Sequence, residues 1–156
     1  MAWLAALVWL AGCGAAPRDP DILRVGNGAE PAALDPHLVS GVSEHRILSA
    51  LFEGLATMDP ITLDPEPAAA VRWDVTPDGL VYRFYLDPEG RWSDGAPVTA
   101  GDFVWAWRRM LSPALGSEYA YMLHCLAGAR AFNEGQTADV GTVGVRALSD
   151  EVLEVR

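Results

Sequence analysis

Residues 91–123 read RWSDGAPVTAGDFVWAWRRMLSPALGSEYAYML, and the rest of the chain is organised around this stretch. It opens on a turn, because Ser93-Asp94-Gly95 has the residue types that tolerate tight or left-handed backbone. Ala96-Pro97-Val98 is short and extended. Thr99 then stands as a helix N-cap with Asp102 three residues on, where a carboxylate meets the positive end of the helix dipole. Phe103, Ala106 or Trp107, and Met110 fall on one stripe, with Val104 and Leu111 beside it. Arg108 and Arg109 lie towards the C-terminal end. Ser112-Pro113 stops the helix, since proline disfavours helical geometry in the residue before it.

Working outward, Ile22–Val25 reads as a strand running into the turn cluster Gly26-Asn27-Gly28, and Leu34-Asp35-Pro36-His37 as an extended or turn piece. Val39-Ser40-Gly41-Val42 is a loop of small residues with little to bury. Ser43 caps a helix through Leu55 with the stripe Ile47, Leu48, Leu51, Phe52 and Leu55, and Gly54 near its end serves as a stop. Prolines at 60, 65 and 67 break residues 56–75 into short strands and turns. Thr76-Pro77-Asp78-Gly79 turns the chain into a half-buried strand, Leu80–Leu86, with Leu80, Tyr82, Phe84 and Leu86 on one face. Glu118–Phe132 is expected to be helical and to end near Gly135. Val143–Leu148 and Val152–Val155 read as two strands joined by Ser149-Asp150-Glu151. Most of the six tryptophans, Trp73, Trp92, Trp105 and Trp107 among them, are expected to be packing residues.

The N-terminus reads as an address. Met1–Gly12 is uncharged and almost wholly apolar, and too short for a stable bilayer-spanning helix, which needs ~20 apolar residues. It suits the apolar region of a secretory signal, although no Lys or Arg precedes it. Leu10-Ala11-Gly12-Cys13 resembles a lipobox, in which small residues admit a peptidase and the thiol of Cys13 takes a lipid. Residues 14–21, GAAPRDPD, have the composition of a tether.

With 156 residues the chain is long enough for one ordinary domain with a core. A formal charge of −10 without any basic stripe argues against nucleic acid as partner. Cys13 and Cys125 form no CxxC, and His37, His45 and His124 share no metal-ligand spacing, so neither a metal nor a cofactor is expected. An enzyme would need paired carboxylates in one cleft, from residues such as Glu53, Asp94 and Asp102. Asp102 is better explained as a helix-start residue and Asp94 as a turn residue, so the reading is non-enzymatic.

Taken together, WSDG, PVTAGDFVWAWRRML, SP and SEYAYML resemble the signature region of the solute-binding proteins of bacterial peptide importers, the extracellular solute-binding protein family 5. The flanks agree: LRVGNGAEPAALDPH at 23–37, LFEGLATMD at 51–59 and TPDGLVYRFYL at 76–86. The resemblance implies an α/β, two-lobed periplasmic-binding-protein-like (type II) fold that closes on its ligand like a hinged clamp. It further implies that this chain holds only the N-terminal part of the first lobe. Residues 22–50 then begin the ligand-facing subdomain and 51–156 form the second subdomain.

By the same resemblance the function is that of a lipid-anchored receptor, periplasmic or on the outer face of the cell membrane, that delivers oligopeptides to the permease of an ABC transporter. The alternative is a receptor of the same fold for a nickel chelate, haem, an oligosaccharide or an opine. Peptide binders hold their ligand by strand-like main-chain hydrogen bonds, which give affinity without reading side chains. Ser40, Gly41 and Val42 match one contact position and Tyr119 another. Where peptide binders can carry an acidic residue this chain has Ser40, which removes a partner for a ligand ammonium.

Overall fold

In the computed structural model, which describes residues 21–156, the Thr99–Asp102 pair closes as its spacing requires. The Asp102 carboxylate accepts the Thr99 N–H at 2.8 Å and the Thr99 hydroxyl at 3.0 Å, the return half of a capping box. The helix α2 that follows spans Ala100–Met110 and ends at Leu111, just before Ser112-Pro113. Ahead of α2 come α1 (Val42–Leu51) and the strands β1 (Ala56–Met58), β2 (Pro65–Pro67), β3 (Ala70–Val75) and β4 (Tyr82–Leu86). After it come a 3₁₀ turn (Ala120–Cys125), the short α3 (Ala129–Asn133), a second 3₁₀ turn (Val140–Thr142), and β5 (Val145–Ser149) and β6 (Val152–Val155).

β1 and β2 form a hairpin, and the other four strands form one antiparallel sheet in the order β3-β4-β6-β5. The last strand in sequence therefore lies inside the sheet, paired with β4 through Phe84 opposite Leu153 and with β5 through Ala147 opposite Leu153. α2 packs on β5 and β6, and its Phe103, Val104 and Trp107 lie against a core built on Leu86, Leu111, Leu126, Val145 and Leu153. Burying a leucine such as Leu111 or Leu153 contributes about 1.5–3 kcal/mol, so this face is where the sheet gains its stability.

Several elements differ from the sequence expectation. Ile22–Val25 is not a strand, for it has no ladder partner among the described residues and its Ile22, Leu23 and Val25 are exposed. Gly41, not Ser43, is the N-cap of α1. The helix ends at Leu51 with Phe52 already extended, so neither Gly54 nor Leu55 belongs to it. Of its proposed stripe Leu48 is buried, while Leu51 and Phe52 are exposed. β4 begins at Tyr82, and Leu80 is exposed in the preceding turn.

In place of the helix expected over 118–132 there are a 3₁₀ turn that ends at Cys125 and the short α3, whose N-cap is Gly128. That residue sits at φ +70 against the carbonyl of Thr142, so a side chain here would meet both strain and backbone. Trp107 packs on the core as expected, but Trp105 is 64% exposed and Trp92 is also open. The signal-like segment, the lipobox with Cys13, and residues 14–20 lie outside the described residues. No described helix is long and apolar enough to cross a membrane.

Candidate functional site

Ser40, Gly41 and Val42 lead into α1 rather than forming a free loop: Gly41 is the N-cap and Val42 the first helical residue. Glu44 sits in the first turn with its carboxylate folded back over Gly41. Oε1 accepts the Ala32 N–H at 2.8 Å and Oε2 the Ser43 hydroxyl at 2.7 Å. These bonds hold the Glu44 carboxyl below its usual range, the Ala32 N–H having the largest effect. A Cβ at position 41 would meet Glu44 Oε2, so a larger residue there would displace this carboxylate. Ser40 and Val42 are exposed. Among the described residues, the N–H groups of Ser40, Gly41 and Val42 and the Ser40 carbonyl have no hydrogen-bond partner.

Five residues upstream, Asp35 organises a turn. Its carbonyl accepts the N–H groups of Leu38 at 3.1 Å and Val39 at 3.2 Å, and its carboxylate accepts that of His37 at 3.0 Å. The same carboxylate meets Arg109 of α2 fork to fork: Nη1 to Oδ1 at 2.8 Å and Nη2 to Oδ2 at 2.5 Å. Arg109 Nη1 also donates to His37 Nδ1 at 2.7 Å, and the Trp105 ring lies 5.7 Å from the guanidinium and 6.3 Å from the imidazole. Arg109 holds Asp35 at a pKa of about 2. Burial lowers that of His37, and the neighbouring Arg109 charge lowers it further. Because a guanidinium can only donate, His37 Nδ1 is the acceptor in this contact, and Asp35 stays charged throughout the physiological range.

Tyr119 stands at the start of the first 3₁₀ turn, 39% exposed, with its ring 6.2 Å from that of Tyr121. Its hydroxyl has no hydrogen-bond partner among the described residues, so this is a presented side chain rather than a core-edge one. No hydrogen bond or ring contact among the described residues joins Tyr119 to the 40–42 edge. Two open grooves, of about 430 Å³ over Ser49–Thr57 and about 450 Å³ between α2, Phe132 and Val140, include none of these four residues. The four candidate residues thus line neither groove.

The other side chains singled out in the sequence have local roles. Asp102 closes the helix start, Asp94 accepts the Ala96 N–H at 2.9 Å in its turn, and among the described residues no hydrogen bond joins either to Glu53. No group of three or more His, Cys, Asp or Glu among the described residues could hold a metal ion. Cys125 is a free, exposed thiol.

Residues 64–156 match the sequence model of the bacterial extracellular solute-binding proteins, family 5. The periplasmic oligopeptide-binding protein OppA of Escherichia coli is 42% identical over 131 residues, which cover 83% of this chain and 24% of that protein. A probable deoxycholate-binding periplasmic protein of E. coli, YgiS, is 37% identical over 98% of this chain and 30% of its own length. Among solved structures, Haemophilus influenzae OppA in complex with the nonapeptide RPPGFSPFR superposes with a TM-score of 0.76 at 39% identity, covering 83% of this chain and 25% of that one. The chain spans about a quarter of the length of the curated relatives it matches. The likeness carries the fold class: an N-terminal region of a periplasmic binding protein.

Proposed function

The chain belongs to the bacterial extracellular solute-binding proteins, family 5, and from that premise we propose that it forms one wall of a receptor that captures oligopeptides for an ABC importer. One observation carries this reading. The N–H groups of Ser40, Gly41 and Val42 and the Ser40 carbonyl have no partner among the described residues, yet the stretch is held in place by Glu44 on one side and the Asp35 turn on the other. Such an edge offers an extended peptide the main-chain hydrogen bonds that every peptide can make. Residues 22–50 are assigned to the ligand-facing subdomain and 51–156 to its neighbour. Tyr119 supplies a ring and a free hydroxyl from the second subdomain. No catalytic role is assigned, for the chemistry required is capture and release.

In the full-length receptor, Tyr119→Ala is expected to weaken binding of the nonapeptide RPPGFSPFR by about 1–2 kcal/mol, from one hydrogen bond and ring contacts. The fold's stability should stay largely intact. Calorimetry showing unchanged affinity would remove Tyr119 from the site, and equal losses of affinity and stability would make it a packing residue.

The match to a probable deoxycholate-binding protein over nearly the whole chain favours a second reading, a receptor of the same fold for a non-peptide solute. A steroid offers no main chain to the 40–42 edge. The nonapeptide and deoxycholate, tested for their ability to raise the melting temperature, separate the two.

Delivery to a permease and lipid anchoring belong to the same proposal, with Cys13 as the lipidated residue and the outer face of the cell membrane as the location. Protein from a bacterial membrane fraction should begin at Cys13, carry acyl chains and partition into detergent. Intact mass showing Met1 retained without lipid would exclude the anchor. Cys13→Ala should leave the protein unprocessed or unlipidated.

A further inference from the structure

Among the described residues, Arg109 makes every hydrogen bond and ion pair that joins residues 22–50 to anything beyond Phe52. His37 adds a ring contact with Trp105, one turn earlier on the same helix. α1 itself buries only Glu44 and Leu48, so apolar packing adds little to hold the segment. The partners lie 74 residues apart, on the two sides of the proposed subdomain boundary.

We infer that the Asp35–Arg109 pair is a positioning device for the peptide edge, setting where Ser40–Val42 stands relative to the rest of the lobe. The inference rests on the reading of that edge as the ligand contact. Its mechanics are local. The forked geometry fixes both the direction and the distance of the Asp35 carboxylate, which a single point charge would not. Asp35 passes that placement to the backbone by accepting three N–H groups from His37, Leu38 and Val39. Ser40 follows directly. On the far side Glu44 ties the helix start to Ala32, so the edge has little freedom left once Arg109 is engaged.

α2 is a suitable anchor. It is closed by its capping box at one end and seated on β5 and β6 along its length. His37 and Trp105 flank the ion pair, leaving each side chain 29% exposed, which limits competition from water. Preorganisation of this kind raises affinity by removing the ordering that binding would otherwise require.

The test uses the full-length receptor and the nonapeptide RPPGFSPFR. Asp35→Asn and Arg109→Gln are each expected to lower affinity about tenfold, and the double variant no more than about twofold beyond either single one. Arg109→Lys, which keeps the charge but not the fork, should recover little of the loss. Hydrogen exchange supplies the readout that a merely structural role would not move. Peptide should protect the amides of Ser40, Gly41 and Val42 in the wild type and fail to do so in the variants, while β4 and β6 exchange as before. Affinity within twofold of wild type with 40–42 protection intact would overturn the positioning role. So would affinity lost only in proportion to global unfolding. A wild-type receptor that ignores the nonapeptide, or takes deoxycholate instead, would overturn the peptide reading itself and with it any edge to position.

Discussion

Glu154→Ala is expected to cost the full-length protein about 3 kcal/mol of stability, an unusual loss for a charged residue on a strand. Glu154 lies on β6 inside the sheet, on the face opposite the apolar core, and its side chain is only 1% exposed. The chain's eleven basic residues are all arginines, and three of them converge on this one carboxylate. Arg83 donates from β4 at 3.0 Å, Arg146 from β5 at 2.6 Å, and Arg156 at 3.1 Å. Strand register brings Arg83 and Arg146 directly opposite Glu154.

Removing the carboxylate leaves three guanidiniums facing one another across the sheet. Because those arginines are half in solvent, the expected loss sits at the low end of the range for a broken buried pair. Glu154→Gln keeps the shape and loses the charge, so it should recover only a minor part. Denaturant midpoints measured at neutral pH check this, and a loss under about 1 kcal/mol would show the cluster to be surface decoration.

The pH dependence has a definite sign. Burial alone would raise the Glu154 pKa, but the hydrogen bonds from Arg83, Arg146 and Arg156 outweigh it and bring the group below the ordinary glutamate value. A depressed carboxylate contributes its full stability above the unfolded-state pKa and loses it as pH falls through the folded value. Acid should therefore weaken the wild type relative to Glu154→Ala, and the two unfolding curves should approach each other below the ordinary carboxylate range. Asp35, held at about 2 by Arg109, follows the same rule at its own site.

Local chemistry explains which parts of this molecule were readable from its residues. Thr99, Asp102 and Pro113 act within a few positions of themselves, so α2 was legible at both ends. The closing hairpin was legible for the same reason, although β5 begins at Val145 rather than Val143 and takes in Ser149, which leaves only Asp150-Glu151 between the strands. Glu154 was not: a single charge in an alternating strand reads as a solvent-facing residue, and its arginines become visible only through cross-strand register. Nor was the role of Arg109, which looked like an ordinary basic residue near a helix C-terminus while its partner waited 74 residues away. The need for glycine at 128 comes from its positive φ and from the Thr142 carbonyl beside it, a tertiary closeness that helical pattern does not show. Ser40–Val42 and Tyr119 came from family likeness alone, and the unpaired main chain and free hydroxyl that support them required coordinates.

Expressed by itself, the 156-residue chain is expected to bind the nonapeptide at least about a thousandfold more weakly than a receptor of its relatives' length. A peptide enclosed between two lobes buries its surface against both, and a large share of a ligand's contact comes from that enclosure. The proposed contact residues lie on an open surface, and the chain spans about a quarter of the relatives' length, so on the proposed reading it supplies at most one wall. A thousandfold is about 4 kcal/mol, a modest share of the binding energy of a peptide held on all sides.

The isolated chain should also associate. α2 has its apolar stripe covered by β5 and β6, but α1 leaves Leu51 65% exposed, and Trp105, Tyr121 and Met122 add further apolar surface. Ile22–Val25 leaves its apolar side chains open as well. Size-exclusion chromatography and thermal melts of the short chain beside one continued by its downstream reading frame decide the matter. The longer protein should be monomeric, melt cooperatively and bind the nonapeptide, with all three properties gained together. A short chain that was monomeric, melted cooperatively and bound the nonapeptide at micromolar affinity would mean that this single wall is already a complete receptor.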